Sequence, residues 1–159
     1  MSASRPLFVL AREVPARALR SSYPEPYASR MDGRIKRRLG DLFGLQNFGV
    51  NLTTLGPGSV SALKHSHSAQ DEFVFVVDGR PTLLVGSDEV ELQPGMCAGF
   101  PKGGEAHMLV NRTSESCSYL EIGDRTTGDR AEYPDDDIKA ELGPDGKWLF
   151  THKDGRPFV

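Results

Sequence analysis

Three histidines and one glutamate carry the chemistry of this chain. His65 and His67 stand two residues apart, Glu72 follows shortly after, and His107 lies on a later segment. On an extended strand the side chains at i and i+2 point the same way, so His65 and His67 share a face. A carboxylate just downstream and a third imidazole from another hairpin would complete a cage of three nitrogens and one oxygen. Such a cage suits one divalent transition metal, with zinc, iron, manganese and nickel all admissible. An isolated H-x-H pair means only two polar side chains facing water. Glu72 argues otherwise, because it opens the apolar run Phe73-Val74-Phe75-Val76-Val77. Its parity puts it with Val74 and Val76, opposite Phe73 and Phe75. A carboxylate on that face is costly to bury without a partner, and a cation supplies one. The alternative is a strand-edge glutamate in water, with Asp71 as substitute ligand. The fourth histidine, His152, lies far off near the C-terminus.

These residues need strands to hold them, and the chain supplies strand signals. Its 17 glycines and 11 prolines argue for many turns between short strands rather than long helices. Strands are expected at 48–55, 60–67, 72–77, 81–85, 89–92, 96–100, 107–111 and 117–122. Asp78-Gly79 marks a tight hairpin turn. Short strands at regular spacing, with no βαβ pattern between them, predict an all-β antiparallel sandwich or barrel. Two arms flank it. Residues 1–45 read as an irregular N-terminal arm, broken by Tyr23-Pro24-Glu25-Pro26-Tyr27 and holding a short helical turn within 35–43. This arm should pack on the barrel rather than fold alone. Residues 124–159 read as a polar C-terminal arm wrapping the outside, anchored by Tyr133-Pro134 and Trp148-Leu149-Phe150.

Composition is that of an ordinary soluble domain, with 38% hydrophobic and 26% charged residues. The net charge of −3 points to no strongly charged partner. Arg34, Lys36, Arg37 and Arg38 form a basic cluster, and Asp135, Asp136 and Asp137 an acidic one. The basic cluster is short, lacks interleaved aromatics and sits beside Asp32 and Asp41. A solvated surface, or pairing with the acidic segment, is the expectation; nucleic acid is not. The apolar stretch Pro6-Leu7-Phe8-Val9-Leu10-Ala11 is cut off by Arg12, too short for a signal-peptide core, and no run is long enough to span a bilayer. Cys97 and Cys117 form no disulfide framework. A cytoplasmic protein with reduced thiols, not bound to membranes, is the expectation. Cys97, inside a strand, reads as a small buried hydrophobe.

The motif spacing resembles a known family. Gly58, His65-x-His67, four residues, Glu72, six residues and Gly79 closely resemble the first cupin motif. Gly95, five residues, Pro101-x-Gly103, three residues, His107, three residues and Asn111 resemble the second. The intervals Gly58 to His65 and Gly103 to His107 are each one residue longer than usual, both in turns where length is tolerated. The likeness covers roughly 48–122 and extends to small bacterial single-domain cupins, some labelled sugar-phosphate isomerases. It implies a double-stranded β-helix, the cupin jelly-roll barrel, over 46–123. It also implies a metal in the barrel mouth and commonly a homodimer. Alone, a histidine before an apolar strand is more often structural; the motif context makes His107 a ligand. Asn111 is expected to fix a turn through its side chain.

The family resemblance names no reaction, because one fold hosts many. An enzyme acting on a small polar organic molecule is the first expectation. Isomerase or lyase chemistry would polarise a carbonyl at the metal, and dioxygenase chemistry would place Fe(II) in the same cage. Glu72, Tyr119 and Glu121 are the catalytic candidates, since Tyr119 and Glu121 share a strand face and could act as acid and base. They could equally be a cross-strand polar pair. A non-catalytic, metal-dependent binding or sensor module is the alternative from another class. Gln70, Lys102 and Glu105 lie on loops near the expected mouth.

Overall fold

A computed structural model of the protein describes residues 5–159, so positions 1–4 of the N-terminal arm lie outside the described residues. In chain order the strands are β1 (Arg34–Arg38), β2 (Phe48–Leu55), β3 (Ser66–His67), β4 (Glu72–Asp78), β5 (Thr82–Val85) and β6 (Asp88–Glu91). They continue as β7 (Cys97–Phe100), β8 (His107–Val110), β9 (Cys117–Asp124), β10 (Arg130–Glu132), β11 (Lys139–Leu142) and β12 (Trp148–Thr151). One short helix, α1 (Leu39–Leu42), interrupts them. The sheet orders are β1-β2-β9-β4-β7, β6-β5-β8 and β12-β11-β10-β3. The fold is the all-β antiparallel architecture that the turn-rich sequence predicts, with the barrel that the motif resemblance implies.

The barrel core lies between the first two sheets. Val74 and Val76 of β4 point in, with Leu55, Tyr119 and Cys117, to meet Leu83, Leu92 and Leu109. Each such burial contributes about 1.5–3 kcal/mol. Phe73 and Phe75, of opposite parity, are each 38% exposed. The β4 turn explains why position 79 is glycine. Its φ is +74°, and a Cβ there would come within 2.6 Å of the Cys117 backbone. Asn111, fully buried, ties the barrel base. Its Nδ2 donates to Leu55 O and Glu115 O, and its Oδ1 accepts from Thr113 N and Oγ1.

Two local expectations are corrected, and one strand is added. Cys97 is exposed, not buried, because it pairs with outward Phe75 while Ala98 takes the inward position opposite Val74. Cys117 is the buried thiol, and burial pushes its pKa up to about 11. The short helical turn expected within 35–43 is α1, but an unforeseen strand, β1, precedes it. β1 pairs with β2 from Arg34↔Leu55 to Arg38↔Asn51. Long cationic side chains disguise β1, since Arg34 and Lys36 alternate inward without being apolar. The stretch 60–67 is not one strand. It touches β8 through the bridges Val60↔Val110 and His65↔His107, and only β3 is regular.

The C-terminal arm does not simply wrap the outside. It folds as β10, β11 and β12 and extends the strand that carries His67, with Ala131↔His67 in register. Its pattern was hidden because alanines occupy the inward positions. Ala131 and Ala140 are buried between charged neighbours such as Arg130, Glu132 and Glu141. A second core forms there from Met31, Leu63, Tyr133 and Ile138, with Tyr23, Tyr27, Trp148 and Phe150 packed against it. The two arms thus meet each other as well as the barrel. Of the anchors expected from sequence, Tyr133 is buried and Leu149 is 65% exposed. Among the described residues, no helix is long and apolar enough to cross a membrane.

Candidate metal centre

The backbone brings the histidines together. His65 N–H donates to His107 O at 3.1 Å, and His107 N–H donates to His65 O at 2.8 Å. This reciprocal pair sets the two rings side by side, with centroids 4.8 Å apart. His67 follows on β3, its ring at 82° to that of His65. Glu72 is the first residue of β4, opposite Phe100 and Gly123. Its Oε2 lies 2.9 Å from His107 Nε2, 3.3 Å from His65 Nε2 and 3.5 Å from His67 Nε2. One ligand atom each from His65, His67 and Glu72 lies within 4.8 Å of the others. His107 reaches the same carboxylate oxygen. Asp71, the substitute ligand, is turned outward and accepts from Lys102 N–H at 2.8 Å. His152 is elsewhere, bonded to Asp137 and stacked on Phe158.

The other ring nitrogens show that the donor set fits a cation. His65 Nδ1 donates to Leu63 O at 2.7 Å, and His67 Nδ1 donates to Asp129 Oδ2 at 2.5 Å. Those bonds fix the tautomer and leave Nε2 of both rings as lone pairs directed at a carboxylate. Lone pairs facing an anion need a cation between them. Without a metal, protons serve. Burial disfavours charge on His65, yet the hydrogen bond and charge of Glu72 win and raise its pKa. Burial likewise opposes ionisation of Glu72, but His107 and His65 hold its pKa well below the usual carboxylate range. Phe100 stacks on His107 with centroids 3.6 Å apart and fixes that ring from the barrel side.

The site opens into a cavity of about 230 Å³. Tyr119 and Glu121 both line it, from one face of β9. The Tyr119 hydroxyl is buried without a hydrogen-bond partner among the described residues, as is that of Thr53 directly across on β2. Burial is the main reason the phenol pKa is raised well above its ordinary value. Glu121 Oε1 accepts from Lys36 Nζ at 2.6 Å and from Asn51 Nδ2 at 3.1 Å. Gln70 also lines the cavity, whereas Lys102 and Glu105 do not.

Asp129 escaped sequence reasoning. It is 1% exposed, and besides His67 it accepts from Ser68 Oγ and Ala69 N–H. No motif marks it; only the pairing of β10 with β3 brings it to His67. Arg17, Arg34 and Lys36 also line the cavity. The expected pairing of the basic cluster with 135–137 does not occur, since Asp136 binds Arg30 and Asp137 binds His152.

Comparisons with known proteins agree with the fold. The family model described as a cupin domain matches residues 51–123. A structure from Silicibacter pomeroyi, named as a sugar phosphate isomerase from a cupin superfamily, is 42% identical with a TM-score of 0.86. The alignment covers 93% of this chain and 94% of that one. A putative sugar phosphate isomerase from Acidithiobacillus ferrooxidans is 30% identical over 79% of this chain and 80% of its own, with a TM-score of 0.71. A polyketide cyclase from Streptomyces resistomycificus shares the fold at 22% identity and a TM-score of 0.60, covering 74% of this chain and 78% of its own. No curated protein matches the chain.

Proposed function

This chain belongs to the cupin superfamily, and on that footing we propose a metal-dependent enzyme of isomerase or lyase type acting on a small hydroxy-carbonyl compound. One observation carries the reading: three imidazole nitrogens converge on a single carboxylate oxygen at the edge of a cavity that also holds an unpartnered phenol. His65, His67, Glu72 and His107 would hold one divalent transition metal. Bound there, the ion would supply a Lewis acid for a carbonyl or hydroxyl oxygen.

The chain's own groups supply the rest. Burial keeps the Tyr119 phenol protonated, so it can donate to a substrate oxygen. Glu121, two residues along the same face, is the candidate acceptor for a carbon-bound proton. Glu72, engaged by three imidazoles, acts as a ligand. Val74, Leu109 and Phe100 form an apolar part of the cavity wall. The relatives named as sugar phosphate isomerases support this reaction class over oxygenation. A homodimer accompanies the proposal, with outward Phe73, Phe75 and Val77, each 37–38% exposed, forming an apolar strip for a second copy to cover.

One observation favours a second reading. Glu121 Oε1 is already engaged by Lys36 Nζ at 2.6 Å and by Asn51 Nδ2 at 3.1 Å. A binding module would tolerate that pairing better than a proton-transfer enzyme. Elemental analysis, followed by aldose–ketose interconversion assays on a panel of short sugar phosphates, separates the readings. The proposal expects stoichiometric metal and a turnover that is lost in His65→Ala. Tight binding without turnover establishes the module. Bound iron with oxygen uptake establishes an oxygenase.

A further inference from the structure

The cavity wall facing the metal centre is cationic. Arg34 and Lys36 reach it from alternate positions of β1, and Arg17 joins them through its backbone N–H, which donates to Lys36 O at 2.8 Å. The acidic groups in the same cavity are already matched. Glu72 faces three imidazoles, and Glu121 is paired with Lys36. Arg17 and Arg34 are not. Among the described residues neither guanidinium has a carboxylate partner. Arg34 donates only to the backbone carbonyls of Ser61 and Arg20, and its buried Nε has no acceptor. Arg17 makes no side-chain hydrogen bond among the described residues. Ser21 and Ser22 add hydroxyls to the same wall.

Two half-buried guanidiniums gathered without an anion are electrostatically unfavourable unless something brings the missing charge. The repulsion is visible in Arg17, whose pKa is lowered by burial and then by the charges of Arg38 and Arg34. Planar guanidiniums bind oxyanions through paired N–H groups, and a dianion matches two of them better than a carboxylate does. We propose that Arg17 and Arg34, with Ser21 and Ser22, form a phosphate-monoester subsite that anchors the far end of the substrate while its hydroxy-carbonyl end meets the metal centre. This rests on the proposed reading of the metal centre and adds the substrate's charge and its point of attachment. The N-terminal arm, outside the matched domain, then selects the substrate.

Calorimetric titration of the full-length protein tests it. Protein stripped with chelator and dialysed is titrated with inorganic phosphate, so this arm needs no metal. Metal-loaded protein is titrated with glycerol 3-phosphate, glycerol and D-glycerate. Arg17→Gln should weaken both phosphate and glycerol 3-phosphate about tenfold, the loss expected for one charged hydrogen-bonded pair. Metal stoichiometry and melting temperature should stay as in the parent. Arg17→Lys keeps the charge but not the fork and should lose less. Equal affinity in the parent and both Arg17 variants overturns the subsite, as does an absence of phosphate binding. D-glycerate bound as tightly as glycerol 3-phosphate overturns the phosphate assignment in favour of a carboxylate. If the protein holds no metal yet shows arginine-dependent phosphate binding, the metal-centre reading falls and this one stands.

Discussion

The cavity has two halves of different origin. The barrel half is built by strands in long antiparallel ladders, with β9 paired to both β2 and β4. It contributes His65, His67, Glu72, His107 and Tyr119. The arm half is built by β1 and the β10–β12 sheet, and contributes Arg17, Arg34, Tyr133, Trp148 and Phe150. Polar groups of the barrel half converge on Glu72, with the Tyr119 hydroxyl and His107 Nδ1 left unpartnered among the described residues. Those of the arm half diverge into the cavity and lack an anion. On the proposed reading the contrast is a division of labour: the barrel holds the metal centre, and the arms enclose it and select the substrate. The halves are joined at β3, which pairs with β10, by the Lys36–Glu121 pair, and by Asp129, an arm residue bonded to His67.

The largest expected effect lies in the barrel half. Replacing both His65 and His67 with alanine should abolish stoichiometric metal binding by elemental analysis. Circular dichroism should still report a folded barrel, because neither ring belongs to its apolar core. A double variant that keeps one equivalent of metal would break the division at its root. The arm half is tested through its own core. Ile138 is fully buried there, and Ile138→Ala should cost about 2–5 kcal/mol in denaturant unfolding. The loosened arm should raise substrate KM more than it lowers metal affinity.

Asp129→Asn probes the join. It keeps the shape but removes the charge that orients His67 Nδ1–H. Competition against a chromophoric chelator should show metal affinity about 10–100-fold weaker. An unchanged affinity would make Asp129 a fold residue that merely passes near the centre.

The same two halves differ in how far the sequence reveals them. The meeting point of His65, His67, Glu72 and His107 was legible because the two motifs resemble the cupin pattern, while parity on β4 set Glu72 on the face of Val74 and Val76. Parity also placed Tyr119 and Glu121 on one cavity-lining face. Cys97 failed for want of a register: strand membership was right, but only pairing with Phe75 reveals which face it takes. The arms were illegible for another reason. β1 carries cations where a strand pattern expects apolar residues, and β10 and β11 bury only alanines. Asp129 reaches His67 from 62 residues away, through a pairing no local signal announces.

Tyr119→Phe carries the smallest effect on stability and the sharpest test of the barrel half. A buried hydroxyl without a partner costs about 1–3 kcal/mol of desolvation that no hydrogen bond repays. Removing it leaves the ring in the core and relieves that cost. The melting temperature should therefore hold or rise by about 2–4 °C, the change expected for about 1 kcal/mol in a chain of this size. Turnover should move the other way, falling about 10²-fold or more if the phenol donates to substrate in the transition state. Thr53 offers the control, because its own buried hydroxyl also lacks a partner and stands directly opposite. If the two hydroxyls were in fact bonded to each other, Tyr119→Phe would destabilise the fold by about 1 kcal/mol, and Thr53→Val would match it. That outcome would make Tyr119 part of the barrel's structure and remove it from the chemistry. A stable but inactive variant assigns the phenol to the substrate.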